Sequence, residues 1–285
     1  MSTSARWASY AHRGSRGSRG NVRGRASSPA VLDALGRAGF VARGIVYALI
    51  GWITLLIAVD HDALQADRTG ALEVIASKPF GDVLLWFLVV GFCGMALWRL
   101  SVAIRPRDAR RRKTTSRLAS LGKAVLYAAA AFTTARFAMT GRASGSTDQA
   151  STDFTVTAMR HTGGRLLVAV VGVGFVIGGL ILIVRGVQRK FARDLRTASM
   201  KPEERRWVLW LGTAGNVARG IVIAVAGGFL VDAAVTFDPA QAKGIDSTLR
   251  SFAAAPYGPV LLILMAAGLA AFGVYSWCEA RWRKL

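Results

Sequence analysis

Six apolar runs alternate with polar segments along this chain, at residues 39–59, 82–104, 118–139, 165–184, 209–235 and 258–278. Each is close to the roughly 20 residues that a helix needs to cross a hydrocarbon core. In lipid the backbone must satisfy its own hydrogen bonds, so all six runs predict transmembrane helices. The first begins behind a long basic tail and is long enough to span, which fits a first transmembrane helix better than a secretory signal. Glycine recurs inside the runs (Gly44, Gly51, Gly91, Gly94, Gly172, Gly227, Gly268), where small residues allow helices to approach closely. Gly174 and Gly178 form a GxxxG, read as packing within the chain.

The polar segments between the runs are of two kinds. The tail 1–38 and the linker 105–117 each carry a net charge of +6, the linker 185–206 carries +5 and the end 279–285 carries +2. The other three are neutral or acidic: −2 for 60–79 and zero for 140–164 and 236–257. Basic and non-basic segments strictly alternate. Under the positive-inside rule this places both termini and both basic linkers in the cytoplasm and three loops outside.

The pattern also repeats. Residues 39–51, GFVARGIVYALIG, return at 215–227 as GNVARGIVIAVAG, identical at nine of thirteen positions. A third copy, LGKAVLYAAAA at 121–131, sets Lys123 four residues before Tyr127 as Arg43 precedes Tyr47. Self-similarity of this kind decides the architecture before any motif is considered. The outer loops repeat as well: Lys78-Pro79-Phe80-Gly81 matches Ala255-Pro256-Tyr257-Gly258, and His161-Thr162-Gly163 stands there in the middle copy. Ahead of each proline the spacing of Leu72 and Ile75, and of Leu249 and Phe252, predicts a short amphipathic helix. These short helices, near 69–77, 152–160 and 247–255, are expected to lie at the outer membrane interface. Trp86, Trp98, Tyr257, Trp277 and Trp282 are candidate interfacial anchors.

The units share one direction, so the repeats are parallel and related by an axis along the membrane normal. The fold class is therefore an all-α integral membrane protein: six transmembrane helices in three tandem helical hairpins, arranged as a pseudo-three-fold bundle with the first helices inside. The expected divisions are a disordered basic tail at 1–34 and repeats at 35–104, 118–184 and 207–280.

Composition narrows the function. The 285 residues are 53% hydrophobic with a mean hydropathy of +0.38, yet the net charge is +21. Apolar residues in lipid and basic ones at its surface reconcile the two. Cys93 and Cys278 fall in apolar stretches and suggest no disulfide. His12, His61 and His161 have no metal-ligand spacing, and no cofactor motif is present. The RG-rich tail is read as a polybasic segment that touches anionic lipid, not as a nucleic-acid arm.

The repeated ARG-x-V-Y-x-x-x-G hairpin resembles the bacterial membrane protein family called domain of unknown function 1206, over about residues 35 to 280. The resemblance implies three tandem two-helix modules and no established activity. The middle copy departs from the motif with Lys123 for Arg and Ala131 for Gly.

Charges inside spans are the candidate site. Arg43, Lys123 and Arg219 occupy one position of the repeat, near the cytoplasmic end. They are either snorkelling anchors or a ring of three cations for a lipid headgroup or other anion. Thirteen residues further on stand Leu56, Arg136 and Asp232, and Arg136 and Asp232 are either an ion pair between the second and third copies or two separate snorkelling side chains. Arg99 is read as a snorkelling side chain. No nucleophile elbow, phosphate loop or HExxH occurs, so a non-enzymatic role in the bacterial plasma membrane is expected, with lipids or unidentified proteins as partners. The alternative is a small channel or transporter along the repeat axis.

Overall fold

The computed structural model describes residues 27–59, 66–104, 114–141, 145–161, 163–236, 238 and 241–283. Tail residues 1–26 and linker residues 105–113 lie outside the described residues. The helices are α1 (Ser27–Val59), α2 (Arg68–Ala76), α3 (Gly81–Ile104), α4 (Thr114–Thr140), α5 (Thr147–Met159), α6 (Gly164–Val187), α7 (Pro202–Thr236), α8 (Ile245–Ala253) and α9 (Gly258–Trp282). Six of them (α1, α3, α4, α6, α7 and α9) are long and apolar enough to cross a membrane, matching the six runs. Two start well ahead of their apolar run. α1 begins inside the stretch expected to be disordered, because its extension has a partner: Gly36 packs on the Trp98 ring and Leu35 covers Gly94 of α3. α7 begins at Pro202 with Glu203 and Glu204 in its first turn, and Glu204 accepts a hydrogen bond from the Lys201 N–H at 3.1 Å. Proline and acidic residues at a helix start match the fixed φ and the positive end of the dipole.

Packing follows the repeat with one rule. The first helix of each copy packs antiparallel on the second helix of the copy before it, cyclically: α1 on α9, α4 on α3, α7 on α6. Glycines set the approach. A Cβ on Gly44 would lie 2.8 Å from the Gly273 carbonyl, and one on Gly51 would lie 2.8 Å from the Ala266 carbonyl. Gly220 and Gly227 meet Gly179 and Gly172 in the same way, at 2.8 and 2.7 Å. The middle copy carries Ala124 and Ala131 at these positions, and both are buried. The departure from the motif thus leaves this contact in place with a slightly larger residue.

Within a copy the two helices meet at a second small-residue contact. Gly91 faces Ala38 and Ala42 in the first copy, and Gly268 faces Ala214 and Ala218 in the third. The corresponding residues of the middle copy are Gly174 and Gly122, and a Cβ on either would meet no heavy atom of the described residues within 4 Å. Among the described residues α4 and α6 share none of the extensive packing that joins the other neighbours. The ring therefore runs α6–α7–α9–α1–α3–α4 and stays open between its ends. Gly174 and Gly178 do not pack within the chain as the GxxxG reading expected; the glycines of α6 that do are Gly172, Gly179 and Gly186, which share its α7 face.

The three short helices stand at the end of the bundle opposite the termini. Leu72, Ile75 and Leu249 are buried in the same apolar core as Val46, Ile53, Phe92 and Val222, so α2 and α8 plug the end of the bundle opposite the termini. They are joined in a cycle. The residue seven positions before the end of each short helix is Thr69, Thr152 or Asp246. Thr69 donates to the Gly145 carbonyl (3.1 Å), Thr152 to the Ala242 carbonyl (3.3 Å), and Asp246 accepts from the Ala66 N–H (2.7 Å). Each bond reaches the loop that precedes the next copy's short helix, and the third closes the circle. Asp148 adds to it by accepting from the Ser247 N–H and hydroxyl. Arg68 reaches from α2 to the Thr133 hydroxyl of α4 (2.6 Å); burial lowers its pKa, an effect that neighbouring Asp67 opposes.

After each short helix the chain turns through one residue with a left-handed backbone: Phe80 (φ 66°), Gly163 (φ 84°) and Tyr257 (φ 61°). The glycine that follows, Gly81, Gly164 or Gly258, is required sterically, since a Cβ there would strike a backbone carbonyl at the end of the short helix. The middle copy makes the same turn without proline by using glycine at the left-handed position. Phe80 and Tyr257 stand fully outward, as does Trp86 to a lesser degree. Trp98 was expected at the interface and instead is buried, edge-on to Phe40 at 5.8 Å.

Candidate functional site: a cation cluster at the terminal end

Arg43 lies one helical turn beyond Gly39 on the inner face of α1, and it is 8% exposed. Its Nε donates to the Ser276 hydroxyl (3.1 Å) and its Nη1 to the Tyr127 hydroxyl (3.4 Å). Its Nη2 forms an ion pair with Glu279 of α9, which is 5% exposed. The other Glu279 oxygen pairs with Arg283, and Arg283 also reaches Asp194 at 3.4 Å. Ser276 itself is fixed by donating to the Phe272 carbonyl at 2.8 Å. One buried carboxylate thus holds two guanidinium groups.

Aromatic faces separate the remaining charges. The Phe272 ring lies between Arg43 and Arg219, each at 5.0 Å, and Arg219 also covers Tyr47 at 5.4 Å. Arg99 lies over Trp98 at 4.7 Å, with Arg283 over the same ring at 5.6 Å. A cation over an aromatic face gains roughly 0.5–2 kcal/mol, which helps retain a guanidinium in apolar surroundings without neutralising it. Lys123 comes from α4, exposed, and within electrostatic reach of Arg99, Arg219, Arg283 and the Tyr127 hydroxyl.

The repeat explains why charge is left over. Ser276 and Glu279 stand eighteen and twenty-one residues after the glycine that opens α9. The same positions are Arg99 and Val102 on α3, and Leu182 and Arg185 on α6. Because each first helix packs on the preceding copy's second helix, Arg43 faces a serine and a glutamate. Lys123 faces the side that bears Arg99, and Arg219 the side that bears Arg185. Among the described residues neither Lys123, Arg99 nor Arg219 has an ion-pair partner, and the Nε atoms of Arg99 and Arg219 are buried with no hydrogen-bond partner.

The three equivalent cations therefore converge at one end of the bundle, but not as an equal ring. Arg43 is neutralised and serves as a strut between α1, α4 and α9. Arg99 is no mere snorkelling residue; its guanidinium is folded over Trp98 into the cluster. Among the described residues no ion pair joins Arg136 and Asp232, and the main neighbours of α7 are α6 and α9. The reading of the sequence missed Glu279, Ser276 and Tyr127. Glu279 sits just past the last apolar run and was counted with the basic end. Its signal was present: the sole acidic residue in a segment of net +2 that directly follows a span.

Six membrane-length helices in three hairpins, capped at one end and charged at the other, define a polytopic α-helical membrane protein. The comparisons place it further. The chain belongs to the family described as Domain of Unknown Function (DUF1206), which matches three times, at residues 38–105, 118–189 and 214–283. It is 30% identical over 248 residues to the uncharacterized protein YxxB of Bacillus subtilis (strain 168), covering 86% of this chain and 89% of that protein. No solved structure matches.

Proposed function

We propose that this protein is a non-catalytic component of the bacterial plasma membrane, with both termini in the cytoplasm, that holds an anionic group in the cation cluster at its cytoplasmic end. The observation that carries this reading is the set of three cations, Arg99, Lys123 and Arg219, within spans and without a counter-charge among the described residues. A charge at such depth is expensive unless paired, and a phosphate bonded to two or three of these side chains would remove the imbalance. The basic linkers and tail favour the cytoplasmic orientation by the positive-inside rule. The one buried carboxylate of the site is engaged by two arginines, which supports a role other than catalysis. The cycle of hydrogen bonds across α2, α5 and α8, closed over buried Leu72 and Leu249, weighs against a path along the repeat axis.

The test is lipid selectivity. In nanodiscs of mixed phosphatidylglycerol and phosphatidylcholine, native mass spectrometry of the ejected protein is expected to find phosphatidylglycerol retained preferentially. The preference disappears when Arg99, Lys123 and Arg219 are all changed to Gln. Equal retention of the two lipids by the unaltered protein refutes the proposal.

A further inference from the structure

The seam between α4 and α6 differs from its two counterparts in a way that bears on how the cluster is reached. In the first and third copies the hairpin is shut by a glycine on the second helix against alanines on the first: Gly91 on Ala38 and Ala42, Gly268 on Ala214 and Ala218. In the middle copy the facing residues are Gly174 and Gly122, which are at least as small, and both look into open space. One turn before Gly122, where the other copies have alanine, stands Leu118, which is exposed. The seam thus keeps the small residues that close the other two hairpins and differs from them in carrying leucine in place of alanine at residue 118.

Lys123 follows Gly122 directly and is the exposed member of the cluster. It lies five residues into the span that begins at Leu118, or about 8 Å along the axis at 1.5 Å per residue. From that depth the long stem of a lysine carries its ammonium up to the headgroup region. Outward from it α4 presents Val125, Leu126 and Phe132, all largely exposed. Behind it lie Arg99 and Arg219, whose Nε atoms are buried and without partners. The opposite end of the bundle is closed by the hydrogen-bonded short helices, so the cluster is approached from the terminal end or from the side.

We infer that the open α4–α6 seam is a lateral entrance for a bilayer glycerophospholipid with an anionic headgroup, whose phosphate rests on Lys123, Arg99 and Arg219 while its acyl chains lie along the exposed face of α4. This rests on the preceding reading of the cluster as an anion site and adds the source of the anion and its route. The chemistry is charge complementarity at one end and apolar contact at the other. A free phosphate would satisfy the first and leave the second without a role.

The discriminating variant is Gly174→Trp, which adds bulk to the α6 side of the seam while leaving every cation in the sequence; a Cβ at residue 174 meets no heavy atom of the described residues within 4 Å, so the variant is expected to fold. The probes are phosphatidylglycerol, presented in detergent to the purified full chain, and inorganic phosphate as competitor, with bound lipid counted by native mass spectrometry. Gly174→Trp is expected to reduce phosphatidylglycerol binding about tenfold or more, the equivalent of one lost charge-assisted contact. Millimolar phosphate is expected to leave binding by the unaltered protein unchanged. If Gly174→Trp binds as the unaltered protein does while Lys123→Gln with Arg219→Gln does not, the anion site stands and the lateral entrance is overturned. Displacement of lipid by phosphate overturns the lipid as ligand in favour of a soluble anion. A dimer that Gly174→Trp dissociates, with no lipid at the seam, overturns the inference in favour of a second copy as the occupant. Gly174→Leu, smaller at the same position, serves as the second variant should the Trp form fail to elute as a single folded species.

Discussion

Replacing Glu279 with Gln keeps the shape of the side chain and removes the ion-pair partner of Arg43 and the nearer of the two partners of Arg283. The side chains of Glu279, Arg43 and Arg283 are 6%, 10% and 12% exposed. That places the pair in the buried regime, where deleting one partner costs about 3–5 kcal/mol because the other charge is left unpaired. The surface regime of about 0–1 kcal/mol does not apply. The two directions of breakage are not equivalent. Glu279→Gln strands Arg43 beside Arg99 and Arg219 and leaves Arg283 only the exposed Asp194, at 3.4 Å. Arg43→Gln leaves Glu279 with Arg283 and loses the bonds to Ser276 and Tyr127, so a smaller cost of about 1–3 kcal/mol is expected. Equilibrium unfolding of the purified protein in mixed detergent and SDS, followed by tryptophan fluorescence, measures both, and the double variant completes the cycle. A coupling of about 0.5–3 kcal/mol is expected between residues in direct contact. A Glu279→Gln cost below about 1 kcal/mol, or additive effects of the two changes, would refute the strut and with it the argument that only one of the three equivalent cations is neutralised.

Gly51→Leu drives a side chain into the α9 backbone, 2.8 Å from the Ala266 carbonyl and Ala270 N–H, and is expected to lower stability by at least the roughly 1–3 kcal/mol typical of overpacking. Gly174→Leu, in a helix of the same kind, meets nothing within 4 Å and is expected to stay within about 0.5 kcal/mol of the unaltered protein in the same unfolding assay. Asp246→Asn keeps an acceptor for the Ala66 N–H but discards the charge paired with Arg250 at 3.0 Å, so a loss of about 1 kcal/mol is expected. Asp246→Ala removes the acceptor as well and leaves that buried N–H unsatisfied, so about 1–3 kcal/mol and faster amide exchange in α2 are expected by hydrogen-exchange mass spectrometry.

The spans were legible because each apolar run is bounded by charge, glycine or proline, and because lipid leaves the backbone no choice but helix. Which helices would pack was harder to read. A hairpin suggests that its own two helices are the closest neighbours, yet the most extensive contacts join successive copies, α6 with α7, α1 with α9 and α3 with α4. The signal for this lay in the spacing of Gly44 and Gly51, and of Gly220 and Gly227, seven residues apart and therefore on one helix face. Hydropathy alone assigns that face no partner. The apolar faces of α2 and α8 were legible in the spacing of Leu72 with Ile75 and of Leu249 with Phe252, but an apolar face fits a membrane surface and a bundle end equally well. Only Thr69, Thr152 and Asp246, small polar residues at one shared position, distinguished the second.

The site divides along a different line. Arg43, Lys123 and Arg219 stood out because the copies agree there, whereas Glu279 sits where the other copies have Val102 and Arg185 and so escapes any comparison of copy with copy. Gly122 and Gly174 show the converse: they are where repetition says a contact should form, and the contact is absent. In a pseudo-symmetric bundle the shared positions build the frame, since three equal helices need three equal seams. A single carboxylate and a single open seam each break that equality, and they do so on opposite sides of the same cluster. Glu279 anchors the cations next to α9, and the α4–α6 opening exposes those next to Lys123. The asymmetry gives the cluster a closed side and an open side, and this is what a ligand entering from one direction requires.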